Sequence, residues 1–205
     1  MIKALFFDVG GVLVRTMDWS RRFAWEDRLG LGRGMLEPLV HGNLLHEQQE
    51  RGELGFDDFW RETALRLGIA QDQVAQFREE FYAGDEVNLE LISAIRGWEL
   101  RGLKTGIISN APPILRQTLT AQYDIAKYFD AITISGEVGV RKPDAAIYRH
   151  ALKSLGVAAN EAVFVDDLLP NIAGANAIGM TGIHFTENAL TIDEITRLVN
   201  RNPAL

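Results

Sequence analysis

Residues 3–14 read KALFFDVGGVLV, and the fold of the chain turns on them. The four apolar residues Ala4 to Phe7 are too short a run for a helix and suit a strand buried on both faces. Asp8 ends the run, and Gly10-Gly11 supplies a turn before Val12-Leu13-Val14. A strand covered on both sides belongs in a parallel sheet with helices above and below, so companion strands should recur downstream. They stand at TGIIS (105–109), AITIS (131–135), AVFVD (162–166) and GIHF (182–185). Helical patterns alternate with them: 89–101 before Gly102, a helix opened by Pro112-Pro113, 144–155 before Gly156, one from Pro170, and 191–200. The expected fold is α/β, a doubly wound parallel (Rossmann-like) sheet.

Residues 15–87 interrupt this alternation and read as wholly helical. Phe56, Phe59, Trp60, Thr63, Ala64 and Leu67 recur at helical spacing before Gly68, and Val74, Phe77, Phe81 and Tyr82 do so before Gly84. The stretch holds nine of the eighteen aromatics, as a small helical unit with few core positions requires. Trp19, Phe23, Trp25, Phe56, Phe59 and Trp60 are therefore read as packing residues. The expected organisation is an α/β core over 1–14 and 88–205 with a helical cap inserted at 15–87. Hinges are expected near 14–16 and 84–88, and Arg15, Arg21, Arg22, His41 and His46 are candidates to face the cleft.

The 205 residues are 47% hydrophobic and 24% charged, with a net charge of -7, which suits a globular domain with a real core. The acidic balance argues against an extended nucleic-acid surface, which needs clustered Lys and Arg. A single phosphate is still within reach of one lysine and one metal ion. The absence of cysteine excludes disulfides, thiolate metal sites and a cysteine nucleophile. No apolar run is long enough for a signal core or a bilayer span. A cytoplasmic protein, monomeric or weakly dimeric and without membrane partners, is the expectation.

Four strand ends carry polar residues: Asp8, Ser109-Asn110, Arg141-Lys142 and Asp166-Asp167. Open parallel sheets bind ligands at that edge. Each place alone has a structural explanation, such as capping the next helix. Together they make a charge problem, because carboxylates at one edge repel by about 4 kcal/mol per pair at 4 Å and an effective dielectric near 20. A cation answers it. An all-oxygen donor set favours a hard ion, and Mg2+ with waters and a substrate phosphate fits. Lys142 and Ser109 would contact the phosphate, and Gly10-Gly11 would let backbone N–H groups approach it.

These motifs resemble those of the haloacid dehalogenase-like hydrolases, in the branch with a helical cap after the first motif. The motifs are FFDVGGVL, IISN, GVRKPD and FVDDLLPNIAGA, in that order along essentially the whole chain. FFDVGGVL and the cap segment ERGELGFDDFW look most like the sugar-phosphate phosphatase and epoxide-hydrolase N-terminal-domain group. The resemblance implies a phosphatase of small phosphorylated metabolites working through an aspartyl-phosphate on Asp8. It implies that Ser109 and Asn110 hold phosphoryl oxygens and that Lys142 balances charge. Asp8, Asp166, Asp167 and the Gly10 carbonyl would bind Mg2+.

One departure stands out. The phosphatase pattern carries a second Asp two residues after the nucleophile as general acid and base, and here that position is Gly10. Acid–base catalysis typically contributes about 10²–10⁴-fold. A substrate with a good leaving group, a cap residue (His41, His46 or Glu53) or water would have to compensate, or turnover is slow. Asn171, where many relatives have Asp, is a smaller departure. The alternative is a catalytically weak phospho-ligand-binding or interaction module on the same fold. Haloacid dehalogenation is disfavoured because Asp166-Asp167 opposes an anionic haloacid. A receiver domain has its acidic pair early rather than last, and the dinucleotide-binding glycine fingerprint is incomplete.

Overall fold

The structure, a computed structural model, describes residues 1–200. The first strand, β1, is Ala4–Phe7. After the turn at Gly10-Gly11 the chain enters β2 (Val14–Thr16) and then the helices α1 (Ser20–Leu29), α2 (Leu36–His41), α3 (Leu44–Glu50), α4 (Phe56–Arg66) and α5 (Val74–Tyr82). It returns through β3 (Asp85–Val87) to α6 (Leu89–Glu99) and β4 (Lys104–Ser109). Then follow α7 (Leu115–Gln117), β5 (Ala131–Ile134), α8 (Ser135–Val138), α9 (Ala145–Leu155), β6 (Ala162–Asp166), α10 (Leu169–Ala177), β7 (Thr181–His184) and α11 (Asn188–Asn200). Among these residues no helix is long and apolar enough to cross a membrane.

Five strands form one parallel sheet in the order β5-β4-β1-β6-β7. Strand β1 is central, and the chain winds to one side through β4 and β5 and to the other through β6 and β7. The side chains obey the two-residue period of a strand. Leu5 and Phe7 join Ile107, Val163 and Val165 in a core under α6 and α11, while Ala4 and Phe6 join Ile108, Ala162 and Phe164 in a core under α9 and α10. Burying a large apolar side chain stabilises by about 1.5–3 kcal/mol, so a polar residue within β1 would disrupt the layer that it faces. Register matters as much. Phe7 pairs with Ile107 and Val165, and Asp8 N–H donates to Val165 O at 2.9 Å, so Asp8 emerges beside Asp166 at the carboxyl edge.

The expectation of helix throughout 15–87 is corrected at its ends. β2 and β3 pair as an antiparallel ribbon, Val14 against Val87 and Thr16 against Asp85, through which the chain leaves and re-enters the core. Thr16 Oγ1 donates to Asp85 at 2.6 Å. Pro112-Pro113 does not open a helix either. Helix α7 starts at Leu115, lasts three residues and runs into a π-turn over Thr118–Gln122.

Between the ribbon strands the helices build a separate core from Trp25, Phe59, Trp60, Phe77 and Phe81. Trp60 meets Phe77 and Phe81 edge-on, both at 5.5 Å between ring centroids, the geometry aromatic quadrupoles favour. Of the six aromatics read as packing, Trp25, Phe59 and Trp60 are buried and Phe56 packs beside them. Trp19 and Phe23 stack on each other nearer the surface.

Candidate active site

Asp8 leaves β1 nearly buried, and its Oδ1 accepts the Val9 N–H at 2.7 Å and pairs with Lys142 Nζ at 2.8 Å. The same ammonium donates to Asp166 Oδ2 at 2.7 Å. Lys142 is 1% exposed, so its charge has traded water for these two carboxylates. Burial alone would lower the Lys142 pKa, but Asp8 and Asp166 overcome it and hold the value above the ordinary lysine range. Burial pushes the Asp8 carboxyl up to about 7; Lys142 opposes this and Asp166 adds to it.

Asp166 is held from several sides. It accepts the Leu168 N–H at 2.8 Å and the Asn171 side-chain amide at 3.0 and 3.1 Å, besides Lys142. Asn171 is thus more than a weakened aspartate, because it donates to Asp166 where a carboxylate would repel it. Asp167 is also raised, chiefly by burial and then by Asp166. One oxygen each of Asp8, Asp166 and Asp167 lies within 4.8 Å of the others, so the three can share one ion. Against these carboxylates stands one ammonium, and a divalent cation would bring the cluster to neutrality. Gly11 makes room for this: its φ is +75°, and a side chain there would collide with the Asp167 carboxylate.

Ser109 ends β4 and is buried, two residues beyond the Phe7–Ile107 pair at the same edge of the sheet. Asn110, expected to hold a phosphoryl oxygen, has its side chain committed elsewhere. Its Oδ1 accepts the Lys142 N–H at 2.7 Å and its Nδ2 donates to Lys142 O at 3.0 Å. The carboxamide therefore clamps the loop that carries Lys142. Gly10 is exposed, its backbone lies outside the left-handed region, and a Cβ there meets nothing within 4 Å. No steric demand keeps glycine at this position.

Among the described residues, none of the three candidates for a replacement acid makes a hydrogen bond or ion pair with Asp8, Asp166, Asp167 or Lys142. Glu53 is exposed. His41 and His46 face each other in the cap at 4.6 Å between centroids, and burial drives them down to about 4 and about 3, helped by Arg22 and by His41 respectively. Both are neutral near pH 7. Arg22 is spent on Glu37 and on Asp85 at 3.1 Å. The cap carboxylate that approaches Lys142 is Glu50, which sequence reasoning missed. It is buried, raised by burial and drawn back by Arg141, His41 and Lys142. Its signal was the Glu47–Glu50 spacing, which puts two acids on one helical face.

A family model for haloacid dehalogenase-like hydrolases matches residues 2–179. The chain is 30% identical over 199 residues to a sesquiterpene phosphatase of Aspergillus oryzae, covering 96% of each. It is 30% identical over 195 residues to a glyceraldehyde 3-phosphate phosphatase of Pyrococcus abyssi, covering 90% of this chain and 82% of that one. A solved HAD family enzyme from Bacteroides thetaiotaomicron, in complex with magnesium and inorganic phosphate, shares the fold. It superposes with a TM-score of 0.73 at 19% identity, over 92% of this chain and 97% of that one. The motif order, the inserted helices and the carboxylate cluster at the sheet edge agree with the match: the chain belongs to the haloacid dehalogenase-like hydrolases.

Proposed function

We propose that the chain is a Mg2+-dependent phosphatase of small phosphorylated metabolites, with Asp8 as nucleophile. The observation that carries this is the buried charge imbalance at the sheet edge: Asp8, Asp166 and Asp167 against Lys142 alone. Phosphoryl transfer is mainly positioning and charge neutralisation, and this arrangement suits both. Asp8, Asp166, Asp167 and the Gly10 carbonyl would hold Mg2+, which when bound neutralises charge on the carboxylates and the phosphate.

Asp8 Oδ1 is engaged by Val9 and Lys142, which leaves Oδ2 to attack phosphorus. The P–O bond to the leaving group breaks as the Asp8–phosphorus bond forms. The leaving oxygen takes a proton from water, since Gly10 has none to give. Water then attacks the aspartyl-phosphate, releasing inorganic phosphate and restoring the Asp8 carboxylate. Ser109 and the main chain of Asn110 face the transferring oxygens, and Lys142 keeps Asp8 charged and aligned. The relatives named for sesquiterpene and glyceraldehyde 3-phosphate dephosphorylation support a small monoester as substrate. Gly10 favours one whose leaving group needs little protonation, such as an acyl or aryl phosphate.

The test is phosphate release from p-nitrophenyl phosphate and a panel of phosphorylated metabolites, with and without Mg2+. Wild type is expected to show metal-dependent release that Asp8→Asn abolishes. Gly10 also favours a second reading, a phospho-ligand-binding module with weak turnover. A melting temperature raised by Mg2+ and beryllium fluoride, with no release across the panel, would select that reading.

A further inference from the structure

One end of cap helix α3 touches the segment that follows β5, and Ser135 links that contact to the loop after β4. Arg141, next to Lys142, spans two carboxylates of this helix: Nη1 lies 3.1 Å from Glu47 Oε1 and Nη2 lies 2.9 Å from Glu50 Oε2. The Ser135 hydroxyl donates to the Glu50 main-chain carbonyl at 2.5 Å and accepts the Ala111 N–H at 2.9 Å. Gly52, at φ +73°, backs onto Gly136 so closely that a side chain would strike the Gly136 carbonyl. A side chain on Gly52 would push the cap away from the core, while one on Gly136 would strike Pro113 and the Ala111 carbonyl inside the core.

We propose that Arg141 and Glu50 are positioning residues for the phosphoryl transfer inferred above, coupling the seated cap to the placement of Lys142. The linkage is short. Arg141 and Lys142 are consecutive, and Asn110 clamps the Lys142 main chain on both its N–H and its carbonyl. The Asp144 N–H donates to Arg141 O at 2.9 Å and closes the turn on the other side. Displacing the Arg141 backbone therefore shifts Lys142 and the β4 loop together.

The charges favour the same assignment. Glu47 and Glu50 stand beside a loop meant to receive an anion, an unfavourable place for carboxylates unless a cation answers them. Arg141 answers both as ion pairs, with one Nη nitrogen toward each carboxylate, a span that a single lysine ammonium would not match. When the cap lifts, Arg141 loses both partners and Glu50 comes out of its buried place. When the cap seats, the fork closes and Lys142 is held against Asp8. Misplacing a reacting group by about 1 Å costs about 10²-fold in rate, so this linkage has leverage on kcat.

Wild type, Glu47→Gln/Glu50→Gln, Glu50→Asp and Arg141→Lys are compared in two assays. The first is steady-state hydrolysis of p-nitrophenyl phosphate with Mg2+. The second is hydrogen exchange over residues 47–52 with and without Mg2+ and beryllium fluoride. The double variant is expected to lose about 10- to 100-fold in kcat with a smaller change in KM. Arg141→Lys should fall between, and Glu50→Asp, which keeps the charge, should recover most of the loss. Exchange at 47–52 should slow on adding the phosphate mimic in wild type and not in the double variant. An unchanged kcat, a loss confined to KM, or an identical exchange response overturns the coupling. If the double variant does not fold, Arg141→Lys decides by the same criteria, since its ion pairs are partly exposed. If wild type hydrolyses nothing, the phosphatase reading fails and the exchange assay alone decides the coupling. Hydrolysis with an unaltered double variant removes the coupling and leaves the phosphatase reading intact.

Discussion

At the carboxyl edge of the sheet, Lys142 pairs with Asp8 and Asp166, and Asp167 stands close to both without an ion pair to the ammonium. In the cap, Arg22 stands between Glu37 and Asp85, with His41 and Thr16 donating to the same two carboxylates. Both clusters bury charge, yet the cap sets one guanidinium against two carboxylates and leaves Glu37 partly open to water, whereas the core sets one ammonium beside three carboxylates. The core concentrates its negative charge where water has been removed. A buried ion pair contributes little net stability over apolar packing of the same volume. An unbalanced one destabilises. The cap cluster thus orients helices, and the core cluster keeps a charge imbalance that, under the proposed reading, a cation would complete.

The largest expected effect comes from removing the one cation of the core. Lys142→Met keeps the volume and leaves Asp8 and Asp166 facing each other without a donor between them. Losing one partner of a buried pair costs about 3–5 kcal/mol, and losing a charge-stabilising donor costs about 10²–10³-fold in kcat. Thermal melting and phosphate release should both collapse, with Mg2+ restoring part of the melting temperature. A variant melting like wild type would mean that Lys142 does not balance these carboxylates.

Asp8→Asn should move activity and stability in opposite directions. The Asp8 carboxyl titrates near 7 in the folded chain against 3.8 unexposed to the fold, so the folded state holds that proton more tightly. Stability from this group is full below pH 3.8 and is lost as pH rises through about 7. Asparagine has no such loss. In chelator, the variant should gain on wild type as pH rises from 5 to 8, by at most about 3 kcal/mol, and equal melting at both pH values would refute the assignment.

Much of this contrast was legible in the sequence because strands buried on both faces declare themselves as apolar runs. ALFF, TGII and AVFV each end in the polar residues that meet at the sheet edge, so the run located the strand and its end located the chemistry. The ribbon was not legible. VRT and DEV are three-residue strands with one apolar position in each, and their pairing spans about seventy residues of chain. Long-range side-chain partners were hidden for the same reason. Nothing local shows that Asn110 will clamp Lys142, or that Arg141 will find Glu47 and Glu50 across the inserted helices. The acid nearest the loop proved to be Glu50 rather than Glu53 because the helix ends at Glu50, and Glu53, beyond the left-handed turn at Gly52, is exposed.

The cap side of the comparison breaks at Arg22. Its side chain is 5% exposed, donates to Phe81 O at 2.7 Å and lies 4.1 Å from the Phe81 ring centroid. Arg22→Met should cost about 2–3 kcal/mol in denaturant unfolding, at the low end for a buried pair because Glu37 keeps access to water. Activity should stay within about threefold, since surplus charge in the cap serves no ligand. A kcat loss as deep as that of Lys142→Met would place Arg22 in the reaction and end the distinction between the two clusters.

Gly10→Asp has the smallest expected effect and tests the core from the opposite side, by adding an acid to it. The backbone at Gly10 is one an ordinary residue adopts, and a Cβ meets nothing within 4 Å, so the substitution is sterically open. The new carboxyl stands two residues from Asp8, where it can give a proton to the leaving oxygen and later draw one from water. A well-placed acid–base group contributes about 10²–10⁴-fold, and an unoptimised one should recover about 10-fold in kcat on an alkyl phosphate. On p-nitrophenyl phosphate the gain should be smaller, because that leaving group needs little help. A fourth carboxylate should also lower the melting temperature without Mg2+ and make the protein more metal-dependent. No gain on either substrate would mean that the proton already arrives by another route, and that Gly10 marks a reaction that does without an acid.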